Sequence, residues 1–151
     1  MISLFSFHCI VALCSLIAET EAHNGHRARA AVCEDVATEA ARQGVEITLA
    51  LAVAWRESAM TRNAVSTAGA VGPMQVIPRF WCKVEPCDHI EAGVRALKHY
   101  TESRGTLDGL CAYASGKSCS KTGAQVHRYQ TSVIKIWRRF RRKLVAACEG
   151  C

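Results

Sequence analysis

Residues that break helices are scarce in this sequence, and the few that occur lie in its middle. Only three prolines occur in 151 residues, namely Pro73, Pro78 and Pro86. Because proline removes a backbone donor and interrupts a helix, the segments on either side are free to be helical. After residue 22 the chain has no internal repeat, low-complexity tract or linker, and its length suits one domain. With 50% hydrophobic and 21% charged residues, the composition excludes a disordered chain.

The first 22 residues lack Lys and Arg, although in other respects they have the pattern of a secretion signal. Their apolar run, Leu4 to Ala18, is shorter than the about 20 residues that a membrane span needs. Small residues that suit cleavage end at Ala22. We therefore predict a signal peptide at residues 1–22 and a periplasmic or secreted domain at residues 23–151 with no stable membrane span. The alternative is an uncleaved anchor, which the missing basic start favours.

Acidic residues are fewer than basic ones, with 13 Asp and Glu against 19 Lys and Arg. Removal of residues 1–22 would take away Glu19 and Glu21 and no basic residue, which raises the net charge from +6 to +8. A small basic exported domain favours anionic partners such as cell-wall polymer, a membrane surface or nucleic acid. The basic stretch at residues 135–143 is either the solvated face of a core-packed helix or a docking patch for such a partner.

Cysteine is abundant, and seven of the nine cysteines follow residue 22. In an oxidising compartment these are candidates for disulfides. Two candidate pairs would close short loops and a third could tie the chain ends together: Cys82 with Cys87, Cys111 with Cys119, and Cys33 with Cys148 or Cys151. The sequence does not fix the connectivity, and an odd cysteine must be left over. A zinc site is the weaker alternative, because the single Cys-x-x-Cys unit at residues 148–151 stands alone.

Helical periodicity dominates the rest of the chain. We predict helices at residues 33–44, 46–58, 89–105 and 125–148, and a short one at 107–114. The second is apolar on nearly every side, which favours a buried helix. No alternating strand pattern occurs, and only residues 69–76 could form a small hairpin or an extended loop. The predicted fold class is therefore mainly α.

One carboxylate lies at the end of the apolar helix, and the next acid along the chain is Glu85. Apolar neighbours such as Ala54 should desolvate Glu57, and the helix C-terminus adds partial negative charge, so both effects raise its pKa. A carboxylic acid that stays protonated near neutral pH can donate its proton to a leaving oxygen, as glycosidic cleavage requires. The structural alternative is a helix-end glutamate paired with Arg56.

A loop punctuated by glycines follows this acid. Gly69 and Gly72 permit backbone geometry and close ligand approach that a Cβ would block. Pro73 makes the exit rigid and biases the residue before it away from helix. Gln75 offers an amide that suits sugar hydroxyls or an N-acetyl group, and Ser66 adds a short hydroxyl.

Three stretches in this order resemble the motifs of the lytic transglycosylase (SLT) family. They are "ES" at 57–58, "NAVSTAGAVGPMQVIP" at 63–78 and "AYASG" at 112–116. Between the last two, Ile90, Gly93 and Leu97 resemble the family's helix pattern. The resemblance extends from about Cys33 to Trp137. It implies a lysozyme-like (goose-type lysozyme/SLT) single domain with a small irregular or β-hairpin segment after the catalytic helix.

The resemblance also implies roles for four side chains. Glu57 matches the family's single catalytic acid/base. Three residues match substrate-site positions: Ser66 the hydroxyl near that acid, Gln75 the glutamine beside the sugar, and Tyr113 the tyrosine over the reacting sugar. The chain departs from the family at Ala114, where Asn is usual, and at Pro73, where Leu is usual.

The implied activity is cleavage of the β-1,4 bond between N-acetylmuramic acid and N-acetylglucosamine in peptidoglycan. Glu57 would act first as acid and then as base, while the sugar's C6 hydroxyl closes on C1 to give a 1,6-anhydro end. The substrate's own N-acetyl carbonyl would replace a second carboxylate. The alternatives are a lysozyme-type hydrolase on the same fold and, because of Ala114, a non-catalytic peptidoglycan-binding assembly protein.

This resemblance implies few binding partners. Peptidoglycan is the expected substrate, and small size with a signal peptide resembles wall-opening enzymes of secretion and conjugation machinery. No cofactor, no metal and no nucleic acid are expected, and the domain is expected to be a monomer. A membrane- or nucleic-acid-active basic helix at residues 135–143 is a further alternative.

Overall fold

The computed structural model describes residues 7–19 and 25–149. The described residues form seven α-helices and one 3-10 turn, so the predicted mainly α class is confirmed. In chain order the helices are α1 (Phe7–Glu19), α2 (His26–Gln43), α3 (Ile47–Ser58), α4 (Pro78–Trp81), α5 (His89–Arg104), α6 (Thr106–Ser115) and α7 (Ala124–Glu149), with the 3-10 turn at Cys119–Lys121 before α7. The predicted cleavage point after Ala22 and residue Cys151 lie outside the described ranges.

Helix α3 is the buried centre of the fold. Every residue from Thr48 to Trp55 is buried, as expected for a helix that is apolar on nearly every side. The helix begins at Glu46, whose carboxylate accepts a hydrogen bond of 2.7 Å from the Leu49 amide. Trp137 of α7 donates its indole N–H to the same carboxylate at 2.7 Å. Helices α2 and α7 pack directly against α3. The surrounding helices therefore hold the C-terminal end of α3 in place.

One helix prediction needed correction at its start, and one short helix was not predicted. Helix α2 begins at His26, seven residues before the predicted start, because the intervening Ala and Arg residues are good helix formers. Helix α4 is a single turn that the sequence analysis did not predict. It starts at Pro78, whose fixed φ suits the first position of a helix.

The glycine-rich segment after α3 forms a compact loop with very little strand pairing. Two isolated antiparallel bridges occur, Val65 with Val71 and Val71 with Val76. Gly72 has a φ of +77°, and a Cβ there would lie 2.6 Å from the Cβ of His89. The loop is therefore a tight double turn, where the sequence had predicted either a small hairpin or an extended loop. At position 72 only glycine permits this conformation.

Helix α1 lies within the predicted signal peptide, and in the unprocessed chain it packs against α2 and α7. Leu13, Cys14 and Ile17 are buried in the common core. Within the described ranges, no helix combines the length and the apolarity that crossing a membrane requires. Removal of residues 1–22 therefore remains a prediction, and it would uncover the surfaces that α1 now contacts.

The disulfides include two of the three candidate pairings. The structure contains Cys82–Cys87 and Cys111–Cys119. The pairing of Cys33 with a C-terminal cysteine is wrong for the unprocessed chain. Cys33 is bonded to Cys14, because α1 brings their Cα atoms to 5.5 Å. The prediction had assumed that Cys14 was already removed.

Gly93 sets the distance between α5 and the loop that follows α3. A Cβ at this position would lie 2.6 Å from the Cβ of Met74, which is fully buried. A Cβ cannot swing aside without movement of the backbone, so the contact requires glycine. The close approach fixes Met74, whose carbonyl takes part in the site described below.

We expect Gly93→Ala to destabilise the domain, because its overpacking cost of about 1–3 kcal/mol exceeds the gain in helix propensity of about 1 kcal/mol. The free energy of unfolding from urea titration should fall by about 1 kcal/mol. Gly123→Ala is the matched control, since a Cβ there meets no atom within 4 Å. Equal stability of both variants would show that the Gly93–Met74 contact is not limiting.

Candidate active site

Glu57 lies in the last turn of α3, one residue before the helix ends at Ser58. The backbone turns sharply there, because Ala59 and Met60 both have positive φ. The side chain of Glu57 is only partly exposed. The acid therefore stands at the point where the buried helix reaches the surface, as the sequence predicted.

Tyr129 is the direct partner of this acid. Its hydroxyl donates a hydrogen bond of 2.6 Å to Oε1 of Glu57. Arg56 lies over the Tyr129 ring, with 5.2 Å from its guanidinium carbon to the ring centroid. The alternative of a helix-end glutamate paired with Arg56 is thus replaced by a carboxyl–phenol pair, with the cation on the ring face.

The pKa of Glu57 is raised above its usual value, and burial is the main cause. The hydrogen bond from Tyr129 and the charge of Arg56 act in the opposite direction and limit the rise in pKa. Burial, together with the charge of Glu57, also raises the pKa of Tyr129 well above the usual phenol value. The phenol therefore keeps its proton and remains a donor to Oε1, which leaves Oε2 to carry the acidic proton.

The loop after α3 is tied to the end of that helix by Ser58. The Ser58 hydroxyl donates to the carbonyl of Pro73 at 2.8 Å and accepts from the amide of Thr61 at 3.0 Å. Pro73 replaces the usual leucine of the family, yet its carbonyl still serves this contact. The second residue of the "ES" motif thus positions the loop relative to the acid.

Gln75 holds the loop in shape from within. It has a φ of +53°, and its amide nitrogen donates to the carbonyls of Gly72 and Ala64 at 2.9 and 3.2 Å. Because both N–H groups of the amide are used, only its oxygen can accept from a ligand. Gln75 also lines the cleft described below, and its predicted role at the substrate site stays a prediction.

Ser66 lies in the turn of the same loop, where its hydroxyl accepts a hydrogen bond of 3.0 Å from the Ala70 amide. Its hydroxyl hydrogen is left for a further acceptor. The contact with Ala70 gives Ser66 a structural role in the turn, and its predicted contribution to the substrate site stays a prediction.

Tyr113 joins the third motif to the loop. Its hydroxyl donates to the carbonyl of Met74 at 2.6 Å. Burial raises its pKa well above the usual phenol value, and the charge of Glu57 adds to the rise. Tyr113 therefore lies close enough to Glu57 for the carboxylate charge to affect its pKa. It also lines the cleft described below.

A cleft of about 290 Å³ extends from Tyr113 along the surface. Its walls come from the loop, from α4, from α5 and from the end of α6. Four of the eleven lining residues are aromatic, and the exposed Ala114 is among the others. The lining residues are Gln75, Val76, Ile77, Phe80, Trp81, Ala96, Tyr100, Tyr113, Ala114, Ser115 and Gly116. An aromatic cleft with a few amide and hydroxyl groups suits a sugar chain.

Comparison with protein families matches residues 35–134 to the transglycosylase SLT domain. The chain belongs to this family. No curated protein and no solved structure gave a match. Membership supports a glycosidic-bond-cleaving enzyme that acts on peptidoglycan, and the mainly α structure agrees with a lysozyme-like SLT domain.

The matched range of the SLT domain contains all four predicted site residues and also Tyr129. Sequence reasoning missed Tyr129, Ser58 and the aromatic wall of α4 and α5. The burial of Tyr129 could have been predicted, because it lies one turn before Val133 on the apolar stripe of α7, but its contact with Glu57 could not. The contact that Ser58 makes with the loop depends on tertiary structure and gives no signal in the sequence.

The strongly basic part of α7 lies away from this cleft. Arg138, Arg141 and Arg142 surround the exposed Val145 in a shallow depression. The apolar stripe of α7 is buried in the core of the SLT domain, as the interpretation of a core-packed helix predicted. A docking role for its basic face remains untested.

Among the described residues, one group of side chains has the donor types of a metal site. Donor atoms of Cys82, Cys87 and His89 lie within 4.8 Å of one another. The two sulfurs are joined in a disulfide, however, and a metal ligand would have to be a thiolate. The oxidised domain therefore presents no usable thiolate pair at this place.

Removal of the Tyr129 hydroxyl should raise the pKa of Glu57 further, because the hydrogen bond favours the charged carboxylate. In Tyr129→Phe, the carboxyl ¹³C resonance of Glu57 should therefore titrate at higher pH than in wild type. If Glu57 acts as an acid, the pH at which cleavage declines should move upward with it.

Tyr113→Phe is the control for this titration, because Tyr113 bonds to the Met74 carbonyl and not to the acid. Glu57→Gln identifies the resonance by its loss. Equal movement of the titration midpoint in both tyrosine variants would show that the Tyr129 hydrogen bond does not set the pKa of Glu57.

Proposed function

We propose that this chain is an exported lytic transglycosylase that cleaves the β-1,4 bond between N-acetylmuramic acid and N-acetylglucosamine. The observation that carries the proposal is the environment of Glu57. The acid is largely buried, its pKa is raised, it has a phenol partner at 2.6 Å, and its charge acts on Tyr113, which lines the aromatic cleft. Such an acid can hold a proton near neutral pH and deliver it to a bound sugar.

In the first step Glu57 donates its proton to the glycosidic oxygen. The Tyr129 hydroxyl occupies Oε1, so the proton is delivered from Oε2. The bond between C1 and that oxygen then breaks, the next sugar leaves with a hydroxyl group, and positive charge develops at C1. No second Asp or Glu occurs between Glu57 and Glu85, the stretch that contains the loop after α3. The N-acetyl carbonyl of the substrate therefore takes the place of a second carboxylate, as in substrate-assisted glycosidases.

In the second step the Glu57 carboxylate takes the proton of the C6 hydroxyl while that oxygen bonds to C1. The product is a 1,6-anhydro sugar, and no water is consumed. As the carboxylate forms, the Tyr129 hydrogen bond and the nearby Arg56 stabilise its charge. The same two groups that limit the pKa rise therefore help Glu57 to release its proton in the first step, whereas its burial keeps the carboxylate basic enough for the second.

We also infer that the domain is exported after removal of residues 1–22, and that it opens the wall locally for an envelope-spanning secretion or conjugation machine. Support for export comes from the apolar leader and the disulfides Cys82–Cys87 and Cys111–Cys119, which persist in oxidising compartments. The role at a machine rests on the small size of the domain and on its predicted export.

The reaction is tested by digestion of purified peptidoglycan with wild type and with Glu57→Gln, followed by mass spectrometry of the products. We expect wild type to release fragments with 1,6-anhydro ends. Glu57→Gln should lower the rate at least about a hundredfold, because the amide cannot exchange a proton. The variant keeps the size of the side chain and an oxygen that can accept from Tyr129.

The product masses separate the alternatives. Ends heavier by one water would identify a lysozyme-type hydrolase on the same fold. Wall binding without cleavage by wild type would favour a non-catalytic assembly protein, in which Ala114 marks the lost function. Unchanged activity of Glu57→Gln would show that another group supplies the proton.

Export is tested by mass spectrometry of the protein recovered from the periplasm or medium. We expect the chain to begin at His23 and to contain no peptide joined through Cys14 and Cys33. A recovered chain that retains this disulfide, which the unprocessed structure contains, would contradict removal of residues 1–22.

A further inference from the structure

Phe80 is an exposed aromatic residue that stands between two clefts. It is 66% exposed, whereas large apolar side chains are more often buried. It lines the aromatic cleft that begins at Tyr113. Phe80 and Ile77 also line a second cleft of about 360 Å³, whose other walls include Gly69 and Arg79. Phe80 therefore forms a ridge between the two clefts.

The ridge is held rigidly by the short helix α4. The Cys82 amide donates to the carbonyl of Pro78 at 2.8 Å, and the Cys82–Cys87 disulfide follows immediately. On the other side, the Arg95 guanidinium donates to the carbonyl of Trp81. A ridge fixed in this way needs little ordering on binding, which favours affinity.

Arg79 places a positive charge in the second cleft. Its guanidinium carbon lies 4.6 Å from the centroid of the Phe80 ring. Arg79 is exposed, and it makes no ion pair with any residue that the structure describes. By contrast, Arg42, Arg62 and Arg95 are all paired with carboxylates. The charge of Arg79 is therefore available to a carboxylate of a ligand.

We propose that the second cleft binds the acidic peptide attached to the glycan strand, and that Arg79 makes the enzyme favour peptide-bearing strands. This inference rests on the proposed function, because it assumes that a strand bound at Glu57 continues through the aromatic cleft. A sugar that crosses the ridge presents its apolar face to Phe80. The peptide on a neighbouring muramic acid then reaches Arg79, whose planar guanidinium matches a carboxylate.

The expected gain is modest, because both the guanidinium and the peptide are open to solvent. Exposed ion pairs change binding by about two- to fivefold, and bidentate geometry extends this to about tenfold. The preference should also weaken at high salt, since exposed charges are screened. The ridge and the charge therefore make separable contributions: Phe80 to every strand, and Arg79 only to strands with peptides.

The test compares soluble peptidoglycan strands with the same strands after an amidase has removed their peptides. For wild type we expect the KM to be about three- to tenfold lower for peptide-bearing strands. Arg79→Gln should abolish this difference by raising the KM for peptide-bearing strands alone, with kcat unchanged. Phe80→Ala should raise the KM for both substrates.

Lys83→Gln is the matched control, because Lys83 is an exposed cation four residues from Arg79 and outside the lining of both clefts. It should leave both KM values unchanged. An equal effect of Arg79→Gln and Lys83→Gln would show only a general charge effect and would overturn the proposal. So would an unchanged preference in Arg79→Gln.

Binding to the Glu57→Gln protein, followed by intrinsic tryptophan fluorescence, keeps the two proposals distinguishable. Trp81 in the aromatic cleft should respond to a bound strand. If Glu57→Gln binds peptide-bearing strands more tightly than stripped ones, and adding Arg79→Gln removes the difference, the inference holds whatever the reaction product is. Equal binding of both substrates would overturn the inference and leave the assignment of Glu57 untouched.

Discussion

The hydrogen bond between Tyr129 and Glu57 is the interaction on which the site depends. It joins the end of α3 to α7, while the Trp137–Glu46 bond joins the start of α3 to the same helix. The buried helix that carries the acid is therefore held to α7 by a glutamate at each end. Because a rigid element positions Glu57, the acid does not rely on loop order for its placement.

The loop that faces the acid depends on the same end of α3. Ser58 fixes it through the Pro73 carbonyl, and Tyr113 fixes it through the Met74 carbonyl. Both contacts use backbone acceptors on consecutive residues. The sequence of the loop can therefore depart from the family at Pro73 without loss of the anchor. Gly93 completes this arrangement, because it lets α5 approach Met74.

The periodicity of apolar residues predicted most of the helices. It did not predict features that depend on a very short segment, on residues 1–22 or on contacts between distant residues. The long helices were found because their apolar stripes are local patterns, as in Val133, Phe140 and Leu144 of α7. The single turn of α4 is too short to show a period. The Cys14–Cys33 bond could not be predicted, because the chain was interpreted after removal of α1. Tyr129 carries no motif that reasoning from the residues alone could connect to a glutamate 72 residues away.

The placement of the Arg56 guanidinium, and not merely its position next to Glu57 in the sequence, decides whether Glu57 can act as an acid. A direct ion pair between these neighbours would hold the carboxylate charged and lower its pKa, which would remove the acid. In the structure the guanidinium lies on the ring of Tyr129, and the hydroxyl of that ring bonds to the carboxyl. The ring of Tyr129 thus binds the Arg56 guanidinium on its face, while its hydroxyl donates a hydrogen bond to Glu57. The pKa of Glu57 stays raised because burial outweighs the lowering by the Tyr129 hydrogen bond and by the charge of Arg56.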